Sequence, residues 1–159
     1  MNDAPLTPPV LTARGLTKSY GPTRALAGVD LAIRPGESVA VMGPSGSGKT
    51  TLLHVLSGII VPDAGQVTLA GADGTRHELT GLNEEHRARL RRERLGFVFQ
   101  EGLLLPELTA RENVAMPLML NGAHRKAAEQ TAARWLESLG LAGMGDRRPG
   151  ELSGGQRQR

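Results

Sequence analysis

The fold is decided by Gly43-Pro44-Ser45-Gly46-Ser47-Gly48-Lys49-Thr50. This stretch fits the pattern GxxxxGK[ST], and it lies between an apolar run, residues 38–42, and a helix-like run, residues 51–56. Glycines let a backbone curl around an anion without Cβ clashes, and a helix N-terminus carries partial positive charge. Lys49 is then placed to hold the β- and γ-phosphates, and the Thr50 hydroxyl to complete a Mg²⁺ shell. The sequence therefore predicts a nucleoside-triphosphate site, but the motif alone does not choose among kinases, GTPases, helicases and transporter ATPases.

The composition limits the class of protein. The chain has 159 residues and no cysteine, which excludes disulfides and thiolate metal sites. Its 4 histidines fall in no spacing typical of metal ligands. No window approaches the ~18 uninterrupted apolar residues that a membrane-spanning helix needs, and the first residues lack the basic and apolar parts of a signal peptide. We therefore expect one domain that stays in the cytosol.

The charge pattern bears on nucleic-acid binding. The net charge is only +3, and a surface charge is screened within about 8 Å at physiological salt. A basic run contains Arg87, Arg89, Arg91, Arg92 and Arg94, but aromatic residues make up only 3% of the chain and none is interleaved with this run for base stacking. We interpret the run as a solvated helix face, and we expect no nucleic-acid partner.

The apolar pattern predicts strands and helices along the whole chain. Strand patterns cover residues 10–20, 25–33, 38–42, 66–69 and 95–99, and helical patterns cover residues 51–56, 83–94, 109–120 and 124–139. We expect an antiparallel layer from the first two strands, a loop over residues 70–80 and a flexible leader over residues 1–9. Thr109 begins a capping-box pattern, and Pro117 should kink or end that helix early. Trp135 lies on the apolar stripe of the last helix, so we predict that it is buried.

Two polar residues and one apolar run are further candidates for function. Tyr20 lies on a polar loop, where an aromatic ring either stacks on an adenine or packs over a sheet edge. Gln100 ends an apolar strand pattern, and its side-chain carbonyl suits either a metal or attacking water, or a plain polar strand end. Leu103 to Leu105 either tuck into a core or form an exposed apolar patch for a partner. The residues alone leave these alternatives open.

A second motif, Leu152-Ser153-Gly154-Gly155-Gln156, follows much later in the sequence. Read with the glycine-rich stretch, and with Tyr20 and Gln100 in the expected order, it makes the chain resemble the nucleotide-binding subunit of an ATP-binding-cassette (ABC) transporter. The resemblance implies an α/β fold, namely a P-loop NTPase core with an antiparallel β layer and a helical subdomain over about residues 101–150. It also implies that residues 10–159 form a partial nucleotide-binding domain, incomplete at its C-terminus.

The resemblance implies a site shared by two subunits that pack head to tail. ATP and Mg²⁺ would lie between residues 43–51 of one subunit and Ser153 to Gln156 of the other, with Tyr20 stacked on the adenine and Gln100 sensing Mg²⁺ or water. The implied nucleotide contacts are Tyr20, Gly43, Pro44, Ser45, Gly46, Ser47, Gly48, Lys49, Thr50, Thr51, Ser153, Gly154, Gly155 and Gln156. The implied metal contacts are Thr50 and Gln100.

The resemblance also implies a membrane partner. A separate permease would dock near Gln100 to Leu105 and place the chain on the inner face of the cell membrane, where ATP binding and hydrolysis would drive export. The sequence around residues 95–100, 112–118 and 152–159 is similar to the lipoprotein-release and macrolide-export branch. The alternative is a non-transport ABC ATPase that acts on DNA or ribosomes, or that regulates a cell-envelope complex.

In the family that the chain resembles, the second motif, here Leu152 to Gln156, is called the signature motif. The catalytic glutamate and the switch histidine of that family follow it. No run of four apolar residues closed by Asp-Glu occurs in the 159 residues, so no internal segment can take over these roles. Positioned general-base chemistry contributes ~10²–10⁴-fold in rate, and we expect this polypeptide alone to hydrolyse ATP negligibly. We also expect residues 38–42 and 95–99 to be left as exposed apolar edges of a marginally stable fold.

Overall fold

The structure, a computed structural model, describes residues 7–71, 73–99 and 102–159. It divides into two compact units, residues 1–95 and 96–159, called unit 1 and unit 2 below. Most of the expected leader, residues 1–6, lies outside the described residues. None of the helices in the described ranges combines the length and the apolar character that crossing a bilayer requires.

Unit 1 is built on an antiparallel sheet of four strands. These are β1 (Leu11–Tyr20), β2 (Thr23–Ile33), β3 (Ala64–Ala70) and β4 (Arg76–Glu78), in the order β2-β1-β3-β4. The predicted antiparallel layer is confirmed, because β1 pairs with β2 along its length. The predicted loop over residues 70–80 is wrong in part, since β4 pairs His77 with Leu69. A strand of three residues at a sheet edge is too short and too polar to give an alternating pattern in the sequence.

The core of unit 1 lies between the sheet and the first helix. Pairing of Ala13 with Val67 places both residues in the core, where they are 2% and 0% exposed. Leu16 lies in the same cluster and is fully buried. Helix α1 (Lys49–Leu56) packs Val55 and Leu56 against it. The sheet and α1 thus share one apolar core, which fixes the helix and the loop before it.

Two predicted strands do not form. Residues 38–42 and 95–99 have no strand partner among the described residues. Met42 is 88% exposed and Val98 is 100% exposed, while Val41 and Leu95 pack partly on the core of unit 1. An apolar run indicates that a segment suits a sheet interior, but a strand also requires a neighbour that pairs with its N–H and C=O groups.

The basic run lies on helix α2 (Glu84–Arg94), which begins at the N-cap Asn83. Its interpretation as a solvated face is wrong for two arginines. The Arg87 guanidinium donates to the carbonyl of Leu82 and to Glu84, and its side chain is only 11% exposed. Arg91 donates to the carbonyl of Gly58 at 2.6 Å and also to Glu84. These arginines bond α2 to the backbone at Leu82 and Gly58. A helical pattern of charges does not indicate such contacts.

Unit 2 contains the helices α3 (Ala110–Leu120), α4 (Arg125–Ser138) and α5 (Gly154–Gln158). The predicted capping box of α3 is confirmed, since Thr109 and Glu112 bond each other's backbone N–H groups. The predicted helix through Leu120 is confirmed; of the two effects expected of Pro117, a kink or an early end, the early end is wrong. A proline removes one helical N–H, but the helix resumes when later N–H groups find partners, as Asn121 does at the Pro117 carbonyl.

Helix α4 corrects the prediction for Trp135, which is 60% exposed. The row that packs inward is Ala128, Ala132 and Leu136, spaced four residues apart, and Trp135 lies one residue to the side of it. The helix ends as predicted at Gly140, where φ is +72°. There the N–H of Leu141 donates to the carbonyl of Leu136 at 2.8 Å, a C-terminal cap that glycine favours.

Candidate functional site

The glycine-rich stretch forms a loop that ends at the N-terminus of α1. Gly48 is the N-cap residue and has φ +85°, a conformation in the left-handed region. A Cβ on Gly48 would lie 2.2 Å from the carbonyl oxygen of Ala25, so β2 passes directly against the loop. A Cβ on Gly43 would lie 2.8 Å from the hydroxyl of Ser47 across the loop. Glycine is therefore required at Gly48 by both backbone conformation and space.

The Lys49 ammonium lies within this loop. Its Nζ donates to the carbonyl oxygens of Gly43 at 2.8 Å and Pro44 at 2.6 Å, and lies 3.5 Å from the Ser47 hydroxyl. The lysine is thus held by neutral groups of the loop and has no carboxylate partner among the described residues. Its charge remains uncompensated and available to an anion.

The N-terminus of α1 differs from those of α2 and α3. Within the described chain, α1 and α4 have neither a side-chain cap nor an acidic residue in the first turn, whereas α2 and α3 have both. No backbone hydrogen bond is found in the described part for the N–H groups of Lys49, Thr50 and Thr51. Free N–H groups and the helix dipole together favour an anion at this end of the helix.

Thr50 is the predicted metal contact in the loop, and it is exposed in the first turn of α1. No group of three or more His, Cys, Asp or Glu side chains that could hold a metal occurs in the described ranges. A single threonine hydroxyl nevertheless fits Mg²⁺, which keeps several waters and takes further oxygen ligands from substrate phosphates. Gln100, the other predicted metal contact, lies outside the described residues.

Tyr20 lies at the end of β1 and is 49% exposed. It pairs with Thr23 of β2, two residues before Ala25, whose carbonyl contacts Gly48. The sheet therefore places Tyr20 on β1, next to the strand β2 that passes against the glycine-rich loop. One face of its ring is covered by the Lys18 ammonium, 5.9 Å from the ring centroid.

Asp63, the residue before β3, makes three hydrogen bonds with the end of β1. One carboxylate oxygen accepts from Lys18 Nζ at 2.9 Å, and the other accepts from the N–H of Ser19 at 2.7 Å. Its own N–H donates to the carbonyl of Thr17 at 2.8 Å. The hydrogen bond from Lys18, followed by that from Ser19, lowers the pKa of Asp63 below its ordinary value. An aspartate at the entry of a strand was the one sequence signal for these contacts.

The signature motif forms the N-terminus of α5. The N–H of Gln156 donates to the Ser153 hydroxyl oxygen at 3.3 Å, and the N–H of Ser153 donates to the Gln156 side-chain oxygen at 2.8 Å. This capping box orders a short helix, with Gly154 and Gly155 exposed in its first turn. The Ser153 hydroxyl accepts in this arrangement, so its own proton stays available for donation.

Leu103 to Leu105, called the leucine triplet below, are exposed at two of the three positions. Leu103 is 74% exposed and Leu105 is 44% exposed. Asn113 of α3 holds the segment, because its side-chain oxygen accepts from the N–H of Leu105 at 2.8 Å and its amide donates to the carbonyl of Leu105 at 3.1 Å. The alternative of a core position is therefore wrong for Leu103 and Leu105.

Comparisons with known proteins found a matching family profile and similar proteins. The sequence profile described as "ABC transporter" matches residues 26–159. The "Lipoprotein-releasing system ATP-binding protein LolD" of Legionella pneumophila (strain Paris) is 49% identical over 154 residues, which are 94% of this chain and 66% of that protein. The protein of the same name from Xanthomonas oryzae pv. oryzae (strain MAFF 311018) is 45% identical, over 94% of this chain and 61% of that protein.

A solved structure is also similar. It is described as the dimeric structure of a post-hydrolysis state of the ATP-binding cassette MJ0796 bound to ADP and Pi. It matches with a TM-score of 0.81 and 34% identity, covering 93% of this chain and 65% of that chain. The chain thus spans less than two thirds of the length of these relatives.

The predicted α/β fold class is confirmed by this likeness, and both curated relatives come from the predicted lipoprotein-release branch. Because the profile match covers most of the sequence, the chain belongs to the ABC transporter family, as its ATP-binding domain.

Proposed function

We propose that this chain is the ATP-binding subunit of an ABC transporter, coupling ATP binding and hydrolysis to export through a separate permease. The observation that carries the proposal is the uncapped N-terminus of α1 with the Lys49 ammonium inside the glycine-rich loop. A cation and free N–H groups converge there, without a carboxylate of the described chain to neutralise them. Such a cradle fits a triphosphate better than any uncharged ligand.

Different residues would bind the phosphates, the metal ion and the base of the nucleotide. Lys49 exchanges its contacts with the Gly43 and Pro44 carbonyls for contacts with phosphate oxygens, and the first-turn N–H groups of α1 donate to the same phosphates. The Thr50 hydroxyl would contact Mg²⁺, with Gln100 as the proposed second contact. Mg²⁺, when bound, would neutralise part of the phosphate charge. Tyr20 holds the adenine by stacking.

The second half of the site is proposed to come from another subunit. Ser153 to Gln156 would face the nucleotide bound to the loop of the partner subunit, with the Ser153 hydroxyl donating to a phosphate. The dimeric state of the similar MJ0796 structure supports this arrangement. Binding of ATP would then draw two subunits together, and hydrolysis would release them.

The proposed membrane partner docks at the leucine triplet. Leu103 and Leu105 present exposed apolar side chains on a segment that Asn113 fixes, and such a patch suits an apolar segment of a permease. The names of the LolD relatives favour lipoproteins as the exported class. The subunit would accordingly lie on the inner face of the cell membrane.

The test is a calorimetric titration of the full chain with ATP in the presence and absence of Mg²⁺. We expect saturable binding that weakens when Mg²⁺ is chelated, because Thr50 then loses its link to the phosphates. In a second experiment, the chain is co-expressed with a permease of a lipoprotein-releasing system. The chain should co-purify with that permease. Absence of ATP binding would overturn the nucleotide site, whereas binding without co-purification would overturn the proposed partner alone.

Ser153→Ala is expected to leave ATP binding by one chain intact. It should weaken ATP-dependent association with a complete ABC subunit at least ~10-fold, since Ser153 no longer contacts the phosphate bound to that subunit. The measurement is analytical ultracentrifugation with and without ATP. The substitution also removes a helix cap, which costs about 0.5–2 kcal/mol by itself.

Thr109→Ala provides the matched control, because Thr109 caps α3 through the same type of capping box. This variant should lose a similar amount of stability and associate normally. Equal association of the two variants would show that Ser153 acts as a cap and not as a contact between subunits.

A further inference from the structure

The end of β1 is held in place by an element outside the sheet ladder. The β1–β3 ladder ends at the pair Thr17 and Ala64, three residues before Tyr20. On the other side, the β1–β2 register shifts between Lys18 and Ser19. The strand that carries Tyr20 therefore leaves one neighbour and pairs irregularly with the other just before the ring. Beyond this shift β1 pairs with β2 through Ser19–Arg24 and Tyr20–Thr23, and a strand end held from one side opens more easily than one held from both.

Asp63 supplies this support by continuing the pairing beyond β3. Its backbone N–H donates to Thr17, and its carboxylate accepts the N–H of Ser19 at 2.7 Å, as the carbonyl of a further strand residue would. The two bonds bracket Lys18 on β1. Asp63 thus takes the place of a longer β3 and orders the backbone up to the residue before Tyr20.

The second oxygen of Asp63 orders the ring itself. It accepts from Lys18 Nζ at 2.9 Å, and this lysine side chain is only 19% exposed. The same ammonium lies 5.9 Å from the centroid of the Tyr20 ring. Lys18 therefore lies over the ring, which is 49% exposed. Backbone and ring are both fixed through a single carboxylate.

We propose that Asp63 is a positioning residue that holds Tyr20 ready to stack on the base of a bound nucleotide, so that the site favours ATP over a bare triphosphate. This inference rests on the proposed function. Preorganisation of an aromatic ring increases affinity because ordering it is no longer a cost of binding. The effect should be confined to ligands that carry a base, since no contact of Asp63 reaches Lys49 or its loop among the described residues.

The test compares Mg-ATP with inorganic tripolyphosphate, which carries the phosphates without the base, by calorimetry on the full chain. Asp63→Ala should weaken ATP binding about 5–10-fold and change tripolyphosphate binding less than about twofold, because stacking on one aromatic ring is worth roughly tenfold or more. Asp63→Asn keeps an oxygen for Ser19 but loses the charge for Lys18, so it should weaken ATP binding by a smaller factor. Tyr20→Ala should weaken ATP binding at least as much as Asp63→Ala.

A double variant separates positioning from general stability. In the Tyr20→Ala background, Asp63→Ala should change ATP affinity less than about twofold, because no ring remains to be positioned. Asp73→Ala is the matched control in unit 1, since Asp73 also accepts from a backbone N–H and a side chain, both of Thr75, and no hydrogen bond from Asp73 to β1 is found among the described residues. This control should bind both ligands as the parent chain does.

The outcomes distinguish this inference from the proposed function. A parent chain that binds neither ligand would overturn both. A parent chain that binds both ligands, combined with equal losses for both in Asp63→Ala, would leave the nucleotide site standing and make Asp63 a structural residue only. Additive effects of the Tyr20 and Asp63 substitutions on ATP would overturn the inference in the same way.

Discussion

We expect Lys49→Ala to abolish measurable ATP binding. The variant loses the cation that contacts the phosphates, and the loss of one partner of a buried charge pair lowers affinity on the order of 100-fold or more. Lys49 Nζ lies between the Gly43 and Pro44 carbonyls, and no other cationic group of the described residues is bonded within the loop. The alanine variant keeps the glycines and the helix, so the chain should still fold. Calorimetry with Mg-ATP measures the loss directly.

Lys126→Ala is the control for this result. Lys126 is exposed on α4 in unit 2, and its removal should leave ATP affinity unchanged. Unchanged affinity in Lys49→Ala itself would refute the assignment of the loop as the phosphate site.

Gly48→Ala is expected to destabilise unit 1 by about 2–4 kcal/mol and to weaken ATP binding with it. The new Cβ would lie 2.2 Å from the Ala25 carbonyl oxygen, so either β2 or the loop has to move. In addition, the residue holds φ +85°, which costs an alanine roughly 1–2 kcal/mol by itself. Thermal unfolding measures the first effect and an ATP titration the second.

Gly46→Ala separates the two causes. Gly46 also has a positive φ, +77°, but a Cβ there meets nothing within 4 Å. Its replacement should therefore cost only the conformational part, about 1–2 kcal/mol. Equal losses of stability in the two variants would mean that the close approach of Ala25 to the loop has no energetic importance.

The parts of the fold that the sequence predicted correctly are those that depend on local chemistry. Alternation along β1 and β2, the capping box at Thr109 and the glycine at Gly140 each act within a few residues, so they can be read from a short window. The glycine-rich loop belongs to the same class, because its turn and the following helix are specified by adjacent residues.

Several of the wrong predictions concern contacts between distant segments. Trp135 shares a helical stripe with Ala132 and Leu136, and a helical wheel cannot tell which edge of that stripe a neighbouring helix covers. Residues 38–42 and 95–99 have strand composition, but composition carries no information on whether a pairing neighbour is present.

Asp63 was missed for a related reason. An aspartate in a turn typically bonds its own neighbouring backbone, whereas the Asp63 carboxylate bonds Lys18 and Ser19, 45 and 44 residues away in the chain. Only the point at which the β1–β3 ladder ends, at Thr17, makes such a side chain necessary. A candidate residue of this kind becomes visible once strand lengths are known.

The bare N-terminus of α1 has a consequence for the lifetime of the protein. Since no side chain of the described residues caps this helix, a bound nucleotide would serve as its cap. A ligand that binds only the folded state adds about 2.7 kcal/mol of stability at a concentration 100 times its Kd. Resistance of unit 1 to proteolysis would then increase with the concentration of free nucleotide.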